Sequence, residues 1–242
     1  MRIVDCFWEK DNLGLPTCEI TVFPDDSLSE TALSDLEQEY QYVVVKIPVG
    51  NVFFHQQLTK RGYYFLESQL SVRLRLPIGR GMGKMAEKYM GRVVLKKFET
   101  AKERDDIIGL IGDDTFETDR IALDPHFGQI TANKRYKNWI LSTFNVPGYE
   151  LYQITIREKS VGFAYFYTKE GKTDYLLAGL FPEYKFSGLG ILVPLSAIVY
   201  AKDKGLNKVS TSISSNNFNV VRCYLECGFE IEKINYVFAK VK

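Results

Sequence analysis

Leu180-Phe181-Pro182-Glu183-Tyr184-Lys185-Phe186-Ser187-Gly188-Leu189-Gly190 is the stretch of this 242-residue chain whose reading decides the fold. Before it lies a strand-like run, 173–181. After it comes an uninterrupted apolar run, 191–203, with the length of a buried helix and a stop at Gly205. A strand-to-helix turn of small side chains presents successive backbone N–H groups, and the helix start adds positive potential, so such a turn can hold a pyrophosphate. Gly-x-Gly before a helix also serves plain helix-on-strand packing, so the surrounding sequence has to decide.

Towards the carboxyl end, a β-branched run 208–214 leads to Asn217, a helix is predicted over 219–226, and Gly228-Phe229 opens a final strand, 229–241. Towards the amino end, strands are predicted at 149–156 and 160–168, the latter joined to 173–181 through the hairpin turn Lys169-Glu170-Gly171-Lys172. Further back come a strand at 92–98 and a helix at 102–111. Gly179 is the expected bulge position in the strand before the glycine loop. The Gly/Pro-rich stretch 77–83 separates all this from a small β-α-β unit: strand 40–47, helix 51–61 and strand 63–76. Two domains follow, a small α/β unit over 1–90 and a larger one over 91–242.

One spacing recurs. Asn51 precedes Gly62-Tyr63 by the same eleven positions that separate Asn217 from Gly228-Phe229. Two unrelated strand-helix-strand units and a degenerate duplication both explain it.

The composition narrows the function classes. Lys+Arg at 31 against Asp+Glu at 30 gives a net charge of +1, which excludes the basic footprint of a dedicated nucleic-acid binder. No membrane association is expected, because the longest uncharged run, 186–201, is too short and carries two glycines and Pro194. Arg2, Asp5, Glu9, Lys10 and Asp11 leave no room for an apolar secretory segment, so a cytoplasmic location is expected. Cys6, Cys18, Cys223 and Cys227 form no C-x-x-C pair and His55 and His126 lie far apart, so no metal is expected. Gly79-Arg80-Gly81-Met82-Gly83-Lys84 lacks the spacer and the Ser or Thr of a P-loop and reads as a linker. The basic run Arg80, Lys84, Lys88, Arg92, Lys96, Lys97 reads as a solvated face.

Lys185 followed by Gly188 and Gly190 at a strand-to-helix turn, then Asn217, Tyr224 and Gly228-Phe229, resembles the GNAT superfamily of acetyl-CoA-dependent N-acetyltransferases from about Arg92 onward. The resemblance implies an α/β (α+β) fold with a mixed, mostly antiparallel central sheet flanked by helices. It implies acetyl-CoA as cosubstrate, held by Leu180, Phe181, Lys185, Phe186, Ser187, Gly188, Leu189, Gly190 and Asn217, with backbone donors at 187–190. It also implies Tyr224 as proton donor to the departing sulfur, with Asn217 as the second catalytic residue. Lys185 stands where Arg or Gln is commoner, and Phe186 replaces a frequent glycine.

The segment 116–127 with Tyr136-Lys137-Asn138-Trp139-Ile140 is similar to nucleotide-sugar N-acetyltransferases of surface-polysaccharide biosynthesis. That similarity implies a TDP-linked amino-dideoxy sugar as acceptor, with Asp119, Arg120, Asp124 and Tyr136 near it, and a homodimer. Other GNAT acceptors (a polyamine, an antibiotic, a peptide terminus) and an inactive acyl-CoA-binding module are the alternatives. The sequence shows no strong general base.

Overall fold

The computed structural model describes residues 1–26, 29–79 and 81–242, so Arg80 of the basic run lies outside the described residues. Among the described residues the first segment holds β1 (Arg2–Asp5), α1 (Glu9–Leu13), β2 (Thr17–Thr21), α2 (Glu30–Glu39), β3 (Tyr42–Pro48), α3 (Val52–Lys60) and β4 (Tyr64–Arg75). The second adds α4 (Lys84–Met90), β5 (Val93–Lys97), α5 (Ala101–Leu110), α6 (Arg120–Leu123), α7 (Gly128–Thr143), β6 (Tyr149–Ile156), β7 (Lys159–Lys169) and β8 (Lys172–Leu180). It ends with α8 (Leu192–Asp203), β9 (Lys208–Ser214), α9 (Phe218–Glu226) and β10 (Glu230–Val241).

All ten strands join one sheet in the order β1-β2-β3-β10-β4-β9-β8-β7-β6-β5. Only β2/β3 and β8/β9 are parallel. The fold is therefore the expected mixed, mostly antiparallel sheet with helices on both faces.

Local sequence accounts for the elements that build the site. Tyr42-Val43-Val44-Val45 is a β-branched run buried on both faces, as a central strand requires. In α8, Leu192 to Ile198 are all buried, and Pro194 sits in the first turn, where a missing N–H costs nothing. Two apolar cores lie over the second half of the sheet: one beneath α8 and α9, built around Leu195, Ile198 and Phe166, and one beneath α5 and α7, built around Ile107, Ile140 and Phe163. The stretch 77–83 packs on the end of α9: a Cβ on Gly228 would meet Ile78 Cγ2 at 2.5 Å, and the Gly83 N–H donates to the Glu226 carbonyl. None of the described helices is long and apolar enough to cross a membrane.

The recurring spacing is a structural repeat. Asn51 and Asn217 each cap a nine-residue helix by accepting from the N–H three residues on, at 3.2 and 3.3 Å. Gly62 and Gly228 share φ +84°, where a Cβ is disfavoured. The N–H of Tyr63 returns to the Leu58 carbonyl and that of Phe229 to the Tyr224 carbonyl. The correspondence extends outward: apart from α1, which has no counterpart between β7 and β8, β1-β2-α2-β3-α3-β4 runs in the same order and pairing as β7-β8-α8-β9-α9-β10. Each half gives its last strand to the other: β10 lies against β3, and β4 against β9.

Candidate active site

The two halves differ at one place that matters. In the first, β2 and β3 pair along all five residues, Thr17↔Tyr42 to Thr21↔Lys46. In the second, β8 and β9 pair only at Thr173↔Val209 and Asp174↔Ser210 and then part. A bulge opens the fork: Phe166 faces Tyr175 and Tyr165 faces Leu177, which leaves Leu176 as the extra residue. Thr211 Oγ1 donates to the Tyr175 carbonyl at 2.7 Å across the base of the fork. Beyond it, the edge of β8 from Leu177 to Leu180 has no partner strand on the β9 side.

The bulge is therefore at Leu176 and not at Gly179. Gly179 answers to a different constraint, because a Cβ on its neighbour Gly162 would meet the Gly179 carbonyl oxygen at 2.3 Å, and a Cβ on Gly179 would press on Thr115 Cγ2 at 3.2 Å. Gly162, opposite Leu180, leaves room for the Gly179 carbonyl, so β7 and β8 can close up next to the fork.

The glycine loop stands at the mouth of the fork. Leu180 ends β8, and Phe181 is buried against Phe163. A 3-10 turn, Pro182–Tyr184, follows, and a second one, Leu189–Ile191, leads into α8. Phe186 (φ +62°) and Gly188 (φ +77°) both take left-handed backbone, which curls the chain around Ser187. Phe186 is fully exposed.

The expected row of four free donors is shorter in the structure. The Ser187 N–H donates to the Tyr184 carbonyl, and the Leu189 N–H donates to Ser187 Oγ, whereas the Gly188 N–H has no partner among the described residues. Lys185 is not free either: its Nζ binds Asp114 Oδ2 at 2.9 Å and Glu117 Oε1 at 3.0 Å. Those two carboxylates raise its pKa against the opposing effect of burial.

Asn217 has the same capping duty as Asn51, so a structural role accounts for its side chain. Tyr224 has no such explanation. Its counterpart in the first half, seven residues after the capping asparagine, is Leu58, which carries the same backbone contact and the same helix-to-core packing without a hydroxyl. Tyr224 is buried beneath Phe229, its rings 4.8 Å apart edge to face, and burial pushes its pKa well above the ordinary value, so it keeps its proton at neutral pH.

On the opposite face, the fork opens into a cavity of about 510 Å³ that both halves build. Tyr175, Leu176, Ser210, Thr211 and Ser212 line it at the fork. Asp119, Arg120 and Tyr136 stand on its wall. Asp124 does not. It is buried and accepts hydrogen bonds from the Tyr42 and Tyr64 hydroxyls at 2.8 and 2.9 Å and from the His126 N–H at 2.9 Å, so it ties α6 to the first half.

Sequence reasoning missed the wall from the first half, Glu19, Lys46, Glu67, Gln69 and Ser71, and also Arg135, Asp174 and Lys233. One signal was present: Glu67, Gln69 and Ser71 alternate along β4, a polar face on a strand that proves central.

Most charges on this wall are committed to one another. Arg135 holds the fully buried Glu9 with Nε at 2.7 and 2.8 Å from its two oxygens, and Arg120 pairs with Glu19 and approaches Glu9 at 4.0 Å. Glu19 also takes Lys46 at 2.9 Å. Burial alone would push the Glu19 carboxyl up, but Arg120 and Lys46 outweigh it and hold the pKa down at about 2, against an ordinary 4.5. A depressed carboxylate stabilises the fold above its unfolded pKa, and that contribution, up to about 3 kcal/mol, is lost as the pH falls from about 4.5 towards 2. Urea midpoints measured from pH 6 to 2 should drop over that window in the wild type, and Glu19→Gln should flatten the drop. An equally steep acid limb in the variant would assign the sensitivity to other carboxylates.

This arrangement of sheet, fork and loop is the GNAT fold. No family model matches the sequence, and no curated protein matches it. Solved structures do match. A GCN5-related N-acetyltransferase from Sphaerobacter thermophilus superposes with a TM-score of 0.58 at 12% identity over 88% of this chain, which spans 65% of that protein. A conserved protein of unknown function from Staphylococcus epidermidis gives 0.62 at 14% identity, covering 94% of this chain and 85% of its own. A tandem GNAT protein of the clavulanic acid biosynthesis pathway gives 0.54 at 12% identity, covering 94% and 76%.

Proposed function

We propose that the protein is an acetyl-CoA-dependent N-acetyltransferase that acts on the amino group of a small acceptor held in the 510 Å³ cavity. The observation that carries this reading is the fork, which exists in one half only, with the cavity at its base by Leu176 and the glycine loop following the far end of β8 at Leu180. Free N–H and C=O groups on the β8 edge, 177–180, would pair with the amides of a pantetheine arm, and the Gly188 N–H would face the pyrophosphate. Acetyl-CoA would supply an acyl group activated as a thioester. Tyr224 holds the proton that a departing thiolate needs.

The finer acceptor is a TDP-linked amino-dideoxy sugar for surface polysaccharide, in keeping with Asp119, Arg120 and Tyr136 on the cavity wall. One observation favours a second acceptor class, a small cationic amine such as a polyamine. Arg120 and Arg135 are already held by Glu19 and Glu9, so few cations are left for a diphosphate. The assay mixes the protein with acetyl-CoA and with TDP-amino sugars, UDP-amino sugars or spermidine, and follows free thiol. Release with TDP sugars supports the first acceptor and release with spermidine alone the second. Acetyl-CoA binding without release from any amine would leave an acyl-CoA-binding module.

A further inference from the structure

We infer that Glu67 is the group that receives the acceptor's amine, binding it as an ammonium and taking the proton that must leave before nitrogen can attack; this rests on the acetyl-transfer reading above. Glu67 lies on β4, in the half of the protein that has no fork, yet it lines the same cavity as the fork residues Tyr175, Leu176 and Thr211. It is 3% exposed, and its Oε2 has no hydrogen-bond partner among the described residues. A buried carboxylate oxygen left unsatisfied costs on the order of 1–3 kcal/mol, a cost that a bound N–H donor would remove.

A second unsatisfied oxygen faces the same space. Asp119 uses Oδ1 to cap α6, accepting from Ile121 and Ala122, while its Oδ2 has no partner. Burial raises the pKa of both carboxyls, and the Asp119 charge raises that of Glu67 further. A cation between them relieves both at once.

The remaining charged groups around Glu67 come from every element that walls the cavity. Lys46 on β3 and Arg120 on α6 pull its pKa down, as does the Ser214 hydroxyl on β9. Glu19 on β2, Arg135 and Tyr136 on α7, Asp174 and Tyr175 on β8 and Glu232 and Lys233 on β10 are the other titratable groups of the lining. Glu19 and Glu9 hold Lys46, Arg120 and Arg135 in ion pairs, and the buried lining atoms left without a partner among the described residues are carboxylate oxygens of Glu67 and Asp119. The acceptor class that fits is a primary amine with no carboxylate or phosphate on the adjacent carbons.

The proton balance is closed. An ammonium carries three protons, and the amide product keeps one. Glu67 takes the first, which frees the nitrogen lone pair to form the C–N bond to the acyl carbon. The C–S bond breaks with its electron pair on sulfur, and the last proton ends on that sulfur as free thiol.

The test is kcat/KM against pH, from 6.5 to 9.5, for wild type and Glu67→Gln, with spermidine and a TDP-linked amino-dideoxyhexose as probes and acetyl-CoA affinity measured alongside. The expected result is a loss on the order of 100-fold at pH 7. That loss should shrink towards tenfold or less at pH 9.5, where a far larger share of the amine is neutral without help than at pH 7, while acetyl-CoA affinity stays unchanged. Equal activity at every pH would overturn the inference. So would a loss of the same factor at every pH, which marks a structural role. If Glu67→Gln loses acetyl-CoA affinity, Glu67→Asp is measured in its place: a retained acidic limb supports the inference, and a flat profile overturns it. Wild-type protein that binds acetyl-CoA and acetylates neither probe overturns the transfer reading itself, and the role of Glu67 with it.

Discussion

Glu9→Ala is expected to destabilise the protein by about 3–5 kcal/mol, the cost of leaving a buried charge without its partner. Glu9 is completely buried, and both its oxygens are taken by Arg135, with Arg120 at 4.0 Å. Removing it strands the Arg135 guanidinium, whose side chain is only 14% exposed, while Arg120 keeps Glu19. At a scale of 2–4 °C per kcal/mol for chains of this size, the melting temperature should fall by roughly 10 °C or more. Thermal and urea unfolding followed by circular dichroism measure this directly. Adding Arg135→Met to Glu9→Ala should return part of the loss, since the pair is then replaced by apolar packing. A loss below about 1 kcal/mol for the single variant would mean that Glu19 takes over both arginines. Because Arg120 and Arg135 also wall the acceptor cavity, activity should fall in step with stability.

Tyr224→Phe is expected to lower kcat on the order of 100-fold while leaving acetyl-CoA affinity and stability nearly unchanged, the latter within about 1 kcal/mol. The stability half of this expectation comes from the repeat: Leu58 does the packing work of the equivalent position with no hydroxyl at all. The kinetic half comes from the hydroxyl's burial, which keeps it protonated and therefore able to donate. Stopped-flow or steady-state thiol release separates the two. Unchanged turnover would remove Tyr224 from the proton path, and a large fall in melting temperature would return it to the core.

Much of the second half was legible because its elements obey local rules. The strands 149–156 and 208–214 coincide with β6 and β9, and α8 ends just before Gly205, as an apolar run followed by glycine predicts. Residues 2–39 yielded no elements, for a physical reason. β1 has four residues, is mostly exposed and sits at the sheet edge, α1 is a little over one turn, β2 is buried on both faces and so shows no alternation, and α2 buries Leu33 alone, so none carries a clear period. The bulge at Leu176 was equally hidden. Glycine drew attention to position 179, but what glycine serves there is room for Thr115, while the bulge is set by how two strands pair. The cavity was the least readable feature. Its wall is composed by sheet order, which brings Glu67 from one half beside Asp119 and Asp174 from the other, and spacing along the chain carries no trace of that. Asp124 reads like a loop residue in sequence, yet two tyrosines from the first half, Tyr42 and Tyr64, make it an anchor.

The exchange of last strands between the halves has a consequence for how the protein is made. β4 takes its two neighbours, β9 and β10, from residues 208–241. Throughout most of its synthesis on the ribosome, the emerging chain must therefore carry β4 with both edges bare and β3 with one, and bare edges invite pairing with other chains. β9 closes one edge of β4, and β10 then closes the other together with the bare edge of β3. Nascent chains halted before β9 should be sticky and sensitive to protease, and the emergence of β10 should be the moment at which both halves become ordered together.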